Sequence, residues 1–467
     1  MTVSPTGGIC ILRGEAEFQD PNIMRKSLFL LLAVPLFAQD DSLSLRDAVR
    51  LALRENKAIA GANAAVRAAE MGIGEARSGR LPKLNYSESV ARSDNPVFVF
   101  SSLLTERQFG MADFNIGPLN RPDFMDNFQS LVTVDQPLYD GGMTRNAVKS
   151  AGLTRQMTGE EQRRTQMQAI AGVVRAYYGV ALAAESLKTA EQGLESAKAD
   201  LARAQSANAA GMSTDVDVLS IQVHLAAVTE ERIQRAADLD VAKSALNDAM
   251  GLPLDAGHLL TTALTPMNLP DLTLASLEKD ASATRPEARQ AHLAADLAGT
   301  QMDNARSALL PQVGFHAAFE ADRRQFADNG GANWLASIGL HWNLFNGLAD
   351  KARIAESGQS VVRAHADEER VDSAVRLEVR RAFANLQAAQ QRIAVAEAAV
   401  AEAEESLRIT QNRYESGMSN VTDLLRTETA VLESRTRRLG AVHDQRIAAV
   451  MLDLAAGRLS PDSEVLN

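Results

Sequence analysis

Leu138-Tyr139-Asp140-Gly141 returns later in the chain as Leu344-Phe345-Asn346-Gly347, and Gly211-Met212-Ser213 returns as Gly417-Met418-Ser419. Both pairs stand 206 residues apart, and that spacing holds to Gly251 and Gly457. Upstream the spacing differs. Leu43-Ser44-Leu45 matches Leu272-Thr273-Leu274, and Leu81-Pro82 matches Leu310-Pro311, each at 229 residues. The 23-residue difference is one insertion in the first copy, between Pro82 and Leu138. A repeat this long is half of an architecture laid down twice, not a short solenoid unit. It predicts a pseudo-symmetric ring or tube.

Between these markers the pattern is helical. Val173, Val180, Leu187, Leu194 and Leu201 sit seven apart, with Ala176, Ala183, Ala190, Ala197 and Ala204 three residues after each. The second copy has Val379, Leu386, Ile393, Val400 and Leu407, with Ala382, Ala389, Ala396 and Ala403. An unbroken heptad specifies helices that pack at 3.5 residues per turn. The alanine row admits a close neighbour. We expect long helices over 142–209 and 348–415, each roughly 100 Å at 1.5 Å per residue. Helices over 43–79, 213–250, 272–308 and 419–456 are about half that length, so two of them stacked end to end match one long helix.

Gly211 and Gly417 end the long helices, where glycine relieves the left-handed penalty. Ser213 or Thr214, and Ser419 or Asn420, are placed to cap the returning helices. Each copy therefore carries a helical hairpin with a very short tip.

Strands are expected over about 82–138 and 311–344. Trp334, Ala336, Ile338, Leu340 and Trp342 alternate with Asn333, Leu335, Ser337, Gly339, His341 and Asn343. An apolar face bracketed by tryptophans is the pattern of a membrane strand with aromatic girdles. Val313, Phe315, Ala317 and Phe319 alternate likewise, and the first copy repeats the theme more weakly at Leu84 and Tyr86 and at Phe128, Val132 and Val134. Four strands per chain cannot close a barrel alone, and open edges are not tolerated in lipid. Three chains give twelve. An ordinary soluble hairpin is the competing reading of these strands.

The start of the chain reads as an export signal. Met24-Arg25-Lys26 is a positive n-region, Leu28 to Phe37 an apolar core, and Ala38 precedes a plausible cleavage site. Residues 1–38 are taken as an upstream extension plus signal peptide, with Met1 and Met24 both open as the start. The rest divides into a first repeat, 39–265, and a second, 266–467. Cys10 is the only cysteine, so neither disulfides nor a zinc cluster support the fold. The net charge of -11 argues against nucleic acid as a partner.

With both copies in order behind a signal peptide, the chain resembles the TolC-like outer-membrane efflux proteins over about 42–458. The residues that carry the resemblance are Leu43-Ser44-Leu45-Arg46-Asp47-Ala48, Leu81-Pro82 and Leu310-Pro311, Gln136-Pro137-Leu138-Tyr139-Asp140-Gly141-Gly142, and the two tips, Gly211 to Leu219 and Gly417 to Leu425. The resemblance implies a mainly α protein with a small β part. A homotrimer would place a twelve-stranded barrel in outer-membrane lipid above a long α-helical coiled-coil barrel. It implies a passive exit duct, docked through a periplasmic adaptor to an inner-membrane transporter for efflux or type I secretion. By motif position it places periplasmic aperture residues at Asp217 and Asp423. The second acidic residue that family members carry three positions on is Arg426 here, and Ser220 in the first copy. An Asp423–Arg426 pairing that holds the tip shut is then one reading. Carboxylates at a helix start, favoured by the macrodipole, are the other. Adaptor contact is expected at Gly211, Met212, Ser213, Gly417, Met418 and Ser419, and the membrane girdle at Trp334 and Trp342.

Enzyme chemistry finds no footing. The seven histidines are scattered without metal-ligand spacing, and Gly72-Ile73-Gly74 lies in a helical stretch with no preceding strand. No cofactor is expected. The alternatives are a periplasmic adaptor, which would carry one hairpin between β-rich halves, and a structural coiled coil, which has no use for tryptophan-bracketed strands. The insertion is expected at the extracellular mouth. There Val97-Phe98-Val99-Phe100 would extend a strand or, as favoured here, fold across the mouth as a lid.

Overall fold

The computed structural model describes residues 42–268 and 273–466; the signal segment expected over 1–38 and Leu272 of the repeat lie outside them. In chain order the elements are β1 (Ser42–Leu43), α1 (Leu45–Glu55), α2 (Lys57–Ser78), β2 (Lys83–Ser93), α3 (Pro96–Thr105), α4 (Ile116–Asn120) and β3 (Met125–Tyr139). Then come α5 (Met143–Ala209), α6 (Asp215–Met250), β4 (Leu259–Leu260), α7 (Leu274–Thr284), α8 (Pro286–Ser307), β5 (Gln312–Arg323), β6 (Gly331–His341), α9 (Ala349–Glu415) and α10 (Val421–Ala455). The long helices α5 and α9 are each 67 residues, or roughly 100 Å. One end of the rod is a sheet and the other is two hairpin tips.

The stretches expected as single helices over 43–79 and 272–308 are each broken. Asn56 adopts φ -65°, ψ 127° and caps α2, its side chain accepting from Ala58 N at 2.9 Å. In the second copy Arg285 adopts φ -67°, ψ 132° and Pro286 opens α8. The residue before a proline is pushed out of the helical region, so this break was written in the sequence. At each break a returning helix arrives from the tip. Asn56 Nδ2 donates to Ala249 O at 3.0 Å, beside the end of α6. Arg163 of α5 donates to Thr284 O at 2.7 Å and to Gly457 O at 3.1 Å, beside the end of α10.

The principal core fills this junction. Leu45, Val49 and Ala52 of α1 and Leu277 and Ala281 of α7 pack with Val173, Val174, Tyr177 and Tyr178 of α5, Leu246 and Met250 of α6, Val375 and Val379 of α9 and Leu452 and Ala455 of α10. A window of α5 is apolar enough to cross a membrane, and 44% of it is buried in the protein. Tyr177 also staples the chain. Its hydroxyl donates to Leu43 O and accepts from Thr262 N, both at 2.9 Å, beside the parallel β1–β4 pair.

Towards the tips α5 buries a stripe of small or short side chains: Ser186, Ala190, Gly193, Ala197, Asp200 and Ala204. These repeat every seven residues in two interleaved rows, which lets α10 come close; a Cβ on Gly193 would stand 2.9 Å from Leu432 Cδ2. Leu187, Leu194 and Leu201 only flank the stripe, half-buried. On α9 the last buried side chain is Ile393; beyond it the helix is half-buried on one face and exposed on the other in the single chain.

The sheet is antiparallel in the order β2-β3-β5-β6. Its register puts Leu84, Tyr86 and Val90 on one face with Val132, Val134, Phe315, Phe319, Trp334, Ile338 and Leu340. The opposite face is polar, with His316 Nδ1 2.7 Å from Asp135 Oδ1 and Asn127 donating to Asp322 at 2.8 Å. Glu88 and Arg323, paired at 2.8 Å, interrupt the apolar face near the end away from the helices.

Of the two readings of the insertion, the less favoured strand extension is ruled out: Val97-Phe98-Val99-Phe100 forms the first turns of α3. Asn95 Oδ1 accepts from Val97 N and Phe98 N, and Pro96 occupies the first helical position. That pairing of a cap with proline favours a helix start. Edge-to-face rings of Phe100, Phe109 and Phe114 follow. Arg107 ties the segment to the β5–β6 end, donating to Ala332 O at 2.7 Å.

Candidate aperture at the hairpin tips

Each long helix stops at a left-handed glycine, Gly211 at φ 72° and Gly417 at φ 73°. Met212 N reaches back to Ala207 O, and Met418 N to Arg413 O, both at 2.8 Å. These bonds satisfy carbonyls that a helix end leaves open. The chain then turns at once into α6 or α10. Met212 and Met418 stand out at the two tips, 78% and 65% exposed.

Asp217 closes a capping box. Its carboxylate accepts from Thr214 N at 3.0 Å, Thr214 Oγ1 at 2.9 Å and Ser213 Oγ at 3.1 Å, while Thr214 Oγ1 accepts from Asp217 N. The Thr214 amide and hydroxyl hold this carboxyl below the usual range. In the second copy Asn420 does the capping, accepting from Asp423 N at 2.8 Å. Asp423 accepts from Ser419 Oγ at 3.4 Å and faces Arg426, whose Nη2 lies 3.3 Å from Asp423 Oδ1 on an exposed rim. The two copies thus use the same aspartate position differently, one as a cap and one in an ion pair.

The hairpins of one chain join just above the tips. Ala204, Ile221 and Val421 form a small buried cluster, bordered by Leu201, Val218, Tyr414 and Leu425. Sequence reading missed the next layer, where Asp200, His224 and Glu428 meet inside the seam. The one available signal was Asp200 itself, an acidic residue seven positions after Gly193 on the small-residue row. At the other end of the molecule Trp334 is exposed, and Trp342, one residue past β6, donates from Nε1 to Leu309 O at 3.0 Å.

A sequence model of the outer membrane efflux proteins matches residues 48–252 and 277–458. The chain belongs to that family. It is similar to protein CyaE of Bordetella pertussis, 27% identical over 433 residues that cover 90% of this chain and 85% of that one. It is similar also to the alkaline protease secretion protein AprF of Pseudomonas aeruginosa, 23% identical over 93% of this chain and 87% of that one. Its fold matches the outer membrane protein VceC of Vibrio cholerae with a TM-score of 0.71 at 19% identity, covering 88% of this chain and 96% of that one. This is therefore an outer-membrane exit channel protein of the efflux and secretion class, with its helical rod in the periplasm, and not an adaptor or a free-standing coiled coil.

Proposed function

We propose that three copies of this chain assemble into one passive duct, which takes cargo from an inner-membrane transporter through a periplasmic adaptor. The observation that carries this is the sheet: β2 and β6 each have a single partner, and the apolar face is bare. Backbone edges cannot stay open in lipid. Three copies supply twelve strands, and the exposed lower face of α9 supplies a matching helical contact. Trp334 and Trp342 are eight residues apart, roughly 26 Å along a strand. Tilted by about 40°, that run rises roughly 20 Å, which puts the two indoles just inside the borders of an apolar band about 25 Å tall.

In this reading Gly211, Met212, Ser213, Gly417, Met418 and Ser419 meet the adaptor, and Asp217, Asp423 and Arg426 ring the periplasmic aperture. The test is fractionation and native mass of the membrane-extracted protein, together with conductance in planar bilayers. A heat-labile trimer from outer membranes that conducts supports the reading; a stable, membrane-inserted monomer sinks it. Cargo follows the pump. A deletion strain that loses secreted polypeptides points to type I secretion, and one that gains only drug or metal sensitivity points to efflux.

A further inference from the structure

The seam between the hairpins turns polar one to two turns above the tip cluster. Asp200 of α5 is 3% exposed and Glu428 of α10 is 8% exposed. Their carboxyls are close neighbours in the seam. Asp200 Oδ2 and Glu428 Oε2 are nevertheless buried without a partner. Two ionised carboxylates can only accept, so neither can satisfy the other. A single proton between them gives both a partner.

Every element packed here contributes a group. Arg203 of α5 pairs with Asp200 Oδ1 and reaches the rim. Ser196 of α5 lies near Glu428 and favours its ionised form. His224 of α6 places Nε2 3.5 Å from Glu428 Oε2, and burial pushes the ring's protonation below its ordinary range. Tyr414 of α9 faces Asp200 and Arg203. Arg203 is thus the cation set against two carboxyls, and like charges in one buried site do not both ionise.

We propose that Asp200 and Glu428 hold one proton between them, and that this proton is the clasp between the two hairpins of each chain. With the proton held, the seam stays shut. When the proton leaves to water, two carboxylates repel across α5 and α10, the hairpins part, and the tip opening widens. The effect on conductance rests on the reading of the tips as an aperture; the clasp itself does not.

The sign follows from the chemistry. Burial, then the neighbouring Asp200, pushes Glu428 up to about 8 from an ordinary 4.5. A raised carboxyl stabilises the closed seam most below 4.5 and loses that contribution as pH rises to about 8. His224 acts in the other direction: its lowered value favours the closed seam above 6.5 and withdraws that support as pH falls. The clasp is therefore firmest in mild acid and released by alkali. One proton per chain shifts the closed-to-open ratio by up to about tenfold per pH unit over that range.

Two readouts test this on the intact trimer: bilayer conductance, and the distance between spin labels at Met212→Cys and Met418→Cys. From pH 6 to pH 9 conductance should rise and the tip-to-tip distance should lengthen. Glu428→Gln, whose amide donates to Asp200 at any pH, should hold the short distance and flatten both profiles; Asp200→Asn should do the same. A Glu428→Gln variant that keeps the wild-type pH profile overturns the clasp, as does a wild-type distance that ignores pH. Label distances that respond to pH in a protein that never conducts would overturn the duct reading and leave the clasp standing.

Discussion

Gly251 and Gly457 hold the same place in the two halves of the chain. Each ends a returning helix with positive φ, 78° and 71°, against the break between two upper helices. A Cβ on Gly251 would stand 2.8 Å from Glu55 O, and one on Gly457 would stand 3.0 Å from Arg285 Cα. Both neighbours are backbone at a junction that the core has already fixed. Gly211 shares the dihedral, at φ 72°, but faces open space.

These three glycines separate conformation from crowding. Gly211→Ala should cost only the left-handed penalty, about 1–2 kcal/mol. Gly251→Ala and Gly457→Ala should cost more, because the backbone beside them must move. Thermal unfolding of the detergent-extracted protein, followed by circular dichroism, reads the order. Equal melting of all three variants would show that the junction is softer than its packing implies.

The small-residue stripe should tolerate enlargement unequally. Ala190 is buried in the seam, whereas Ala396 is only half-buried. Ala190→Leu should overpack at roughly 1–3 kcal/mol, and Ala396→Leu should cost less in the single chain. Gly193→Ala, aimed at Leu432, tests the same contact with one methyl. Thermal melts that rank Ala396→Leu as the more damaging would mean its row packs tightly against a neighbouring copy.

At the tips the two aspartates should part company. Asp217→Ala removes a capping box and should destabilise the start of α6 by about 0.5–2 kcal/mol, visible as faster amide exchange there. Arg426→Ala removes an exposed pair with Asp423, worth only ~0–1 kcal/mol. It should leave melting unchanged and raise single-channel conductance. Unchanged conductance in Arg426→Ala and Asp423→Ala would reduce both to ordinary helix-start residues.

Tyr177→Phe should be costly despite its small change in volume. It leaves Leu43 O and Thr262 N without their shared partner, at about 1–3 kcal/mol for each group left unsatisfied. Limited proteolysis near residues 42 and 262 should quicken together. Cleavage at one site alone would mean the staple is two separate contacts.

The duplication was legible because it is written in residues that cannot be exchanged freely: left-handed glycines at 211, 251, 417 and 457, and prolines at helix ends. The break at Arg285-Pro286 was legible too, yet the match of 272–308 to half of a long helix argued for one helix. Asn95-Pro96 announced a helix start that β-branched Val97 and Val99 concealed. Asp200 and Glu428 were beyond reach, since 228 residues separate them and nothing local says that α10 lies against α5. Periodicity reports which face of a helix is buried, not what it is buried against.

The Tyr177 staple also bears on the order in which the protein is made. All its atoms belong to Leu43, Tyr177 and Thr262, so it is complete before any of the second repeat is needed. A chain threaded across a membrane from its N-terminus delivers these residues first, and segments generally fold in the order they emerge. The first half can close its own ends and wait, its core still lacking Leu277, Val379 and Leu452. The later half then docks onto a template that already has its register.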